Sequence, residues 1–203
     1  REDRSEVVKK IKEWIHSFDD NALVISFNGL GYDLWLMWKL LGIVPKVGKN
    51  GKDWLDGKAV QNIDCYILSQ YLNPDNKFHS LGYLSEGSEN EKMPYRGKLI
   101  ELGVISSQDP KGFEFSFWHP LMEEYCNDDC DATIGVFHKL WEQAEDLYGK
   151  DKWIHPSFKQ LQKDYWLYSA QAYTGSPFNM EKALKLIETA EVEMEIIRKE
   201  VEP

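Results

Sequence analysis

The stretch Ala22–Leu41, ALVISFNGLGYDLWLMWKLL, constrains the fold of this chain most, because its hydrophobic period changes there from that of a strand to that of a helix. Leu23, Val24, Ile25 and Phe27 form an apolar run interrupted only by Ser26, the pattern of a buried strand. Asn28-Gly29-Leu30-Gly31-Tyr32-Asp33 breaks the run, and its two glycines permit a tight or left-handed reversal. Leu34, Met37, Trp38, Leu40 and Leu41 then resume at helical spacing. Asp33 stands at the start of that helix, suited both to cap it and to face a cleft.

A helical pattern precedes the strand, with Val7, Val8, Ile11, Trp14, Ile15 and Phe18 on one face, and Asp19-Asp20-Asn21 ends it. Helix, buried strand and helix in succession predict an α/β fold centred on a partly parallel sheet. The glycine-rich segment Gly42–Gly57 reads as a surface loop around Lys46, Lys49, Lys52 and Lys58. Val60, Ile63 and Asp64 begin the next ordered element, followed by a helix that Asn73-Pro74-Asp75-Asn76 stops. Shorter helices are predicted at His79–Leu84 and Tyr95–Leu102, and a long one from His119 to Trp141. Two more follow, Trp153–Tyr173 and one beginning at Met180 behind an Asn179 cap.

A net charge of −10 argues against a broad surface that coats nucleic acid, and leaves room for a local cation site built from carboxylates. Cys65, Cys126 and Cys130 form no even disulfide framework, and the Cys126–Cys130 pair has no His or Cys partner nearby in sequence for zinc. These features, with no signal peptide and no long apolar run, predict a reducing, cytoplasmic setting and no membrane partner. Tyr125 and Asp129 lie four apart and share a helical face. Asp129 sits among apolar neighbours, where a carboxylate without a partner is costly, so it calls for a metal ion or a hydrogen-bond donor. Asp33 and Asp129 together suit a divalent cation, as in two-metal phosphodiester hydrolysis, with Tyr125 orienting the attacking water. Two acids are fewer than such a site normally uses.

Asn28-Gly29-Leu30-Gly31-Tyr32-Asp33 closely resembles the second motif of the proofreading 3′–5′ exonucleases of the four-carboxylate superfamily. Tyr125-Cys126-Asn127-Asp128-Asp129 is similar to their third motif in its tyrosine form. The segments Asn62–Ser69 and His79–Leu84 resemble the connecting segments of the short phage replicative DNA polymerases of family A. Gly175-Ser176-Pro177-Phe178-Asn179 resembles the passage there between exonuclease and polymerase parts. The likeness runs from about Leu23 to Glu195.

The resemblance implies a ribonuclease-H-like exonuclease fold, a mixed sheet flanked by helices, with residues 1–150 as the exonuclease domain and 151–203 as a helical connection toward a polymerase domain. It implies two magnesium (or manganese) ions held in part by Asp33 and Asp129, with Tyr125 positioning water. Asn28 would help shape the turn or hold the substrate strand, Tyr32 would bind substrate, and Asp64 would anchor the internal hydrogen bonds of the nearby segment. The substrate would be the single-stranded 3′ end of DNA, in a phage-infected bacterial cell. The family's first motif, an Asp and a Glu one residue apart on a first strand, has no counterpart before Ala22. The N-terminal strands are therefore expected to lie upstream, to come from another chain, or to be lost. The alternatives are a freestanding exonuclease that needs a partner for its missing carboxylates, and a catalytically inactive DNA-binding or structural remnant.

Overall fold

In the computed structural model, residues 4–20, 22–47, 53–150, 156–175 and 179–201 are described. The apolar run after Asn21 forms strand β1, Ala22–Ser26, parallel to β4, Lys58–Asp64, with Ala22 opposite Val60 and Ser26 opposite Asp64. The glycine-rich segment expected to be a loop instead contributes β2, Pro45–Val47, and β3, Asp53–Leu55, both antiparallel to their neighbours. The strand order is β1-β4-β3-β2, which leaves β1 and β2 at the edges. Of the lysines assigned to that loop, Lys49 and Lys52 lie outside the described residues, and Lys58 pairs with Asp20 at 2.9 Å.

Helices make up most of the rest. α1, Arg4–His16, buries Ile15 against Ile43, Leu55 and Val60. The segment after Asp33 is not one α-helix: a single turn, α2, Asp33–Leu36, passes into a π-helical turn at Met37–Leu41, which Gly42 ends at a φ of 66°. Then come α3, Cys65–Leu72, α4, Leu81–Ser85, and α5, Tyr95–Glu101. The longest is α6, Leu121–Tyr148, followed by α7, Pro156–Thr174. α6 buries Ala132, Val136, Phe137, Leu140 and Ala144 against α3, α4 and Phe158 of α7, and this forms the main core. A smaller core of Met93, Tyr95, Leu99 and Ile105 lies under the first turns of α6.

This arrangement corrects the expectation of a ribonuclease-H-like mixed sheet flanked by helices. The chain is mostly helical, and the sheet is a minor element in which two of the strands are three residues long. The physical reason is where the apolar residues went: the main core is built from α3, α4, α6 and α7, and the sheet supplies only Ile63 to its fully buried members. Cα packing divides the chain into two units, Arg1–Ser169 and Ala170–Pro203. In the second unit, α8, Met180–Val201, is capped by the Asn179 side chain, which accepts from the Lys182 N–H at 2.9 Å. Ser176, Pro177 and Phe178 of the polymerase-like passage lie outside the described residues. Among the described residues no helix is long and apolar enough to cross a membrane.

Candidate active site

The turn after β1 is held from beneath by Asp64, the last residue of β4, which is fully buried. Its carboxylate accepts from the backbone N–H groups of Asn28 (2.8 Å), Leu30 (3.0 Å) and Tyr66 (3.1 Å), the last capping α3. Burial pushes the Asp64 carboxyl up to about 6, outweighing the hydrogen bonds from Leu30, Asn28, Tyr66 and Ile67 that pull it down. Gln162 of α7 completes the clamp: its carbonyl accepts from the Asp64 N–H at 2.8 Å and its amide donates to the Asn62 carbonyl at 3.1 Å. Trp35 donates to the Leu30 carbonyl at 2.9 Å and stacks on Trp166 at 4.4 Å between ring centres.

Asn28 adopts a left-handed φ of 58°, which asparagine tolerates better than most side chains. Its side-chain oxygen accepts from the Tyr165 hydroxyl at 3.0 Å. Its role in the fold is thus to shape the turn. Gly29 is required by close approach: a Cβ there would lie 2.5 Å from Ser26 Cβ and 2.6 Å from its Oγ. Gly29→Ala is therefore expected to destabilise the protein by about 1–3 kcal/mol through overpacking. Thermal melting followed by circular dichroism measures this, and an unchanged midpoint would show that the turn relaxes freely.

Tyr125 and Asp129, one turn apart on α6, meet at Lys92, which lies between α4 and α5. Lys92 donates to Asp129 Oδ2 at 2.9 Å and to the Tyr125 hydroxyl at 3.0 Å, and its ammonium lies 4.9 Å from the centre of the Tyr125 ring. The lysine is held at its base, since its N–H donates to Ser85 Oγ of α4 at 3.1 Å, and its stem runs past Gly82. Lys92 and Asp129 are only 28 and 27 % exposed as side chains. Burial pulls the Lys92 pKa down, but hydrogen bonds and charge from Tyr125 and Asp129 win and raise it, so the ammonium is kept. Burial raises the pKa of Tyr125, Lys92 lowers it and Asp129 raises it again, with a net upward shift that keeps the phenol protonated at neutral pH. Asp129 Oδ1 is buried with no hydrogen-bond partner. Tyr125 also stacks on Tyr95 at 4.9 Å, which ties the site to the smaller core.

Asp33 is the first residue of α2 and exposed, and the cap position belongs to Tyr32, which makes no side-chain capping bond, so Asp33 is not the predicted cap. Burial of its carboxyl raises the Asp33 pKa against the lowering effect of its own N–H. Tyr32 is 54 % exposed. No hydrogen bond or ion pair among the described residues joins Asp33 to the Lys92 cluster, and Cys130 on α6 has its thiol pKa raised by burial and by the charges of Cys126, Asp129, Asp131 and Asp33. Among the described residues no group of three or more His, Cys, Asp or Glu is disposed to hold a metal ion. The site residues missed by sequence reasoning are Lys92 and Gln162. Neither carries a local signal, because the partners of Lys92 lie 33 and 37 residues away and those of Gln162 nearly a hundred. Comparison with protein-family models, with curated proteins and with solved structures gave no match.

Proposed function

We propose that this chain is the 3′–5′ exonuclease region of a DNA-directed DNA polymerase of the phage type, removing nucleotides from a single-stranded 3′ end of DNA. The observation that carries this reading is the meeting of Tyr125 with Asp129, whose Oδ1 is buried and without a hydrogen-bond partner. A buried carboxylate oxygen without a donor suits a hard divalent cation, so on this reading Asp129 and Asp33 are two of the acids that would hold magnesium or manganese. When bound, such ions activate water and stabilise the leaving oxygen in phosphodiester hydrolysis. Tyr125 keeps its phenolic proton and donates to the attacking water, while Asn28 and Tyr32 border the path of the strand.

The described residues fall short of a full donor set. The reading therefore requires further carboxylates, supplied by another segment or by another chain. A polymerase part in the same or another chain would bring the basic surface that a net charge of −10 does not offer. The compartment on this reading is the bacterial cytoplasm.

The test is an assay on 5′-labelled single-stranded DNA, using the chain alone and the chain extended by any upstream coding sequence. The expected result is a magnesium-dependent ladder that shortens from the 3′ end in the extended protein and stops on chelation. If the extended protein carries an acid-bearing strand, binds DNA and still trims nothing, the exonuclease reading is wrong and the inactive DNA-binding remnant takes its place.

A further inference from the structure

Two thiols on α6 have no part in the function proposed above. Free cysteines are usually buried, and Cys65 follows that rule inside the main core, but Cys126 and Cys130 are both free and exposed. They stand four residues apart on α6, which places them on one face, one turn from each other, with about 5–6 Å between their Cβ atoms. The Cys130 thiol is raised first by burial and next by charge on Cys126, ahead of Asp129, Asp131 and Asp33, so the two sulfurs sense each other directly. Cys130 therefore keeps its proton at neutral pH.

The spacing selects what the pair can bind. A disulfide holds its Cβ atoms roughly 3.5–4.5 Å apart, so a direct S–S bond would require α6 to open, whereas an atom placed between the sulfurs spans the gap. Among the described residues no third His, Cys, Asp or Glu joins the pair as a metal donor, so a structural zinc site, which takes four ligands, does not fit. A trivalent arsenic that carries one organic group takes two sulfurs and supplies its third bond itself.

We infer that Cys126 and Cys130 form a two-thiol site for mono-organic trivalent arsenicals, bridged across one turn of α6. The reacting species is the arsonous acid R–As(OH)₂: two As–O bonds break and two As–S bonds form. The thiol protons leave with the hydroxides as two molecules of water, and arsenic stays trivalent, so no oxidant or reductant enters. The bridge closes over the turn that carries Asp129 and uses no residue of the nuclease reading.

The test is phenylarsine oxide, which hydrates to such an acid, added to the reduced 203-residue chain. Intact-protein mass should show one phenylarsenic per chain, and thiol titration after unfolding should show two of the three cysteines consumed. The adduct should resist an excess of a monothiol and be removed by 2,3-dimercaptopropanol. Cys126→Ser and Cys130→Ser should each hold the arsenical about 100-fold more weakly, because the second As–S bond is intramolecular in the parent. Cys130→Ser combined with Asp131→Cys keeps two thiols on α6 but sets them five apart, off a common face, and should bind like a single variant. All the substituted positions are exposed, so each variant keeps the fold, which circular dichroism checks.

Parent binding no tighter than that of either serine variant overturns the inference, since the two sulfurs would then not act together. Equal binding by the shifted pair overturns it too, because the helical spacing would count for nothing. An adduct that maps to Cys65 after digestion has the same meaning.

Discussion

Asp64→Ala is expected to cost the protein about 3–5 kcal/mol, a large part of the roughly 5–15 kcal/mol that holds a domain of this kind folded. The carboxylate serves three backbone N–H groups at once, and alanine leaves all three without an acceptor. Leu30 N–H is buried and water cannot replace the lost bond without entering the core. The turn between β1 and α2 and the start of α3 should loosen together, because the same side chain joins them. Urea unfolding measures the loss, and a change below about 1 kcal/mol would show that Asp64 is not the keystone of the turn.

The same residue makes stability depend on pH in a direction unusual for an aspartate. Its folded-state pKa, about 6, lies above its ordinary value of 3.8 because burial outweighs the hydrogen bonds. The folded protein therefore binds this proton more tightly than the unfolded chain does. The resulting stabilisation is complete below about pH 4 and is lost as pH rises through about 6, amounting to about 3 kcal/mol across the window. Asp64→Asn removes the titration, so the difference between parent and variant should narrow as pH rises from 4.5 to 7. A parent whose advantage grows across that range would show that the backbone donors, not burial, set the carboxyl.

Some of this architecture was legible because it rests on local pattern. The run Leu23–Phe27 and the glycine break behind it mark β1 and its turn, and the spacing of Leu121, Tyr125, Ala132, Val136 and Leu140 marks α6. The order of the elements was less legible than their identity. β2 and β3 are three residues each and take their stability from cross-strand bonds to β4, which no local propensity records. Reading Gly42–Gly57 as a loop hid them, and reading helix, buried strand and helix as an α/β fold centred on a sheet overstated the role of strands in a chain whose core is helical. The π-helical turn at Met37–Leu41 has the same apolar spacing as an α-helix over so short a stretch, so periodicity did not separate them. At the candidate site, Tyr125 and Asp129 were legible because a single helix presents both. Lys92 was not, because it reaches them from a loop through tertiary packing alone.

The second large effect is expected at Asp129 itself. On the proposed reading, in a protein supplied with the further carboxylates that reading requires, Asp129→Ala should lower magnesium-dependent release of nucleotides by at least about 10³-fold, since a metal-binding carboxylate is lost. The fold should survive, because Asp129 lies on the outer edge of the α6 core face, and its removal leaves Lys92 able to reach water and Tyr125. Tyr125→Phe keeps the stacking on Tyr95 and loses only the hydroxyl, so its expected loss is smaller, about 10–100-fold in kcat with little change in KM. The two substitutions act at one centre, and the double variant should be scarcely slower than Asp129→Ala alone. Single-turnover trimming of a 5′-labelled strand measures all three. Additive losses would mean that Tyr125 and Asp129 serve different steps. A fully active Asp129→Ala would mean that the buried oxygen, with its missing partner, has nothing to do with cleavage.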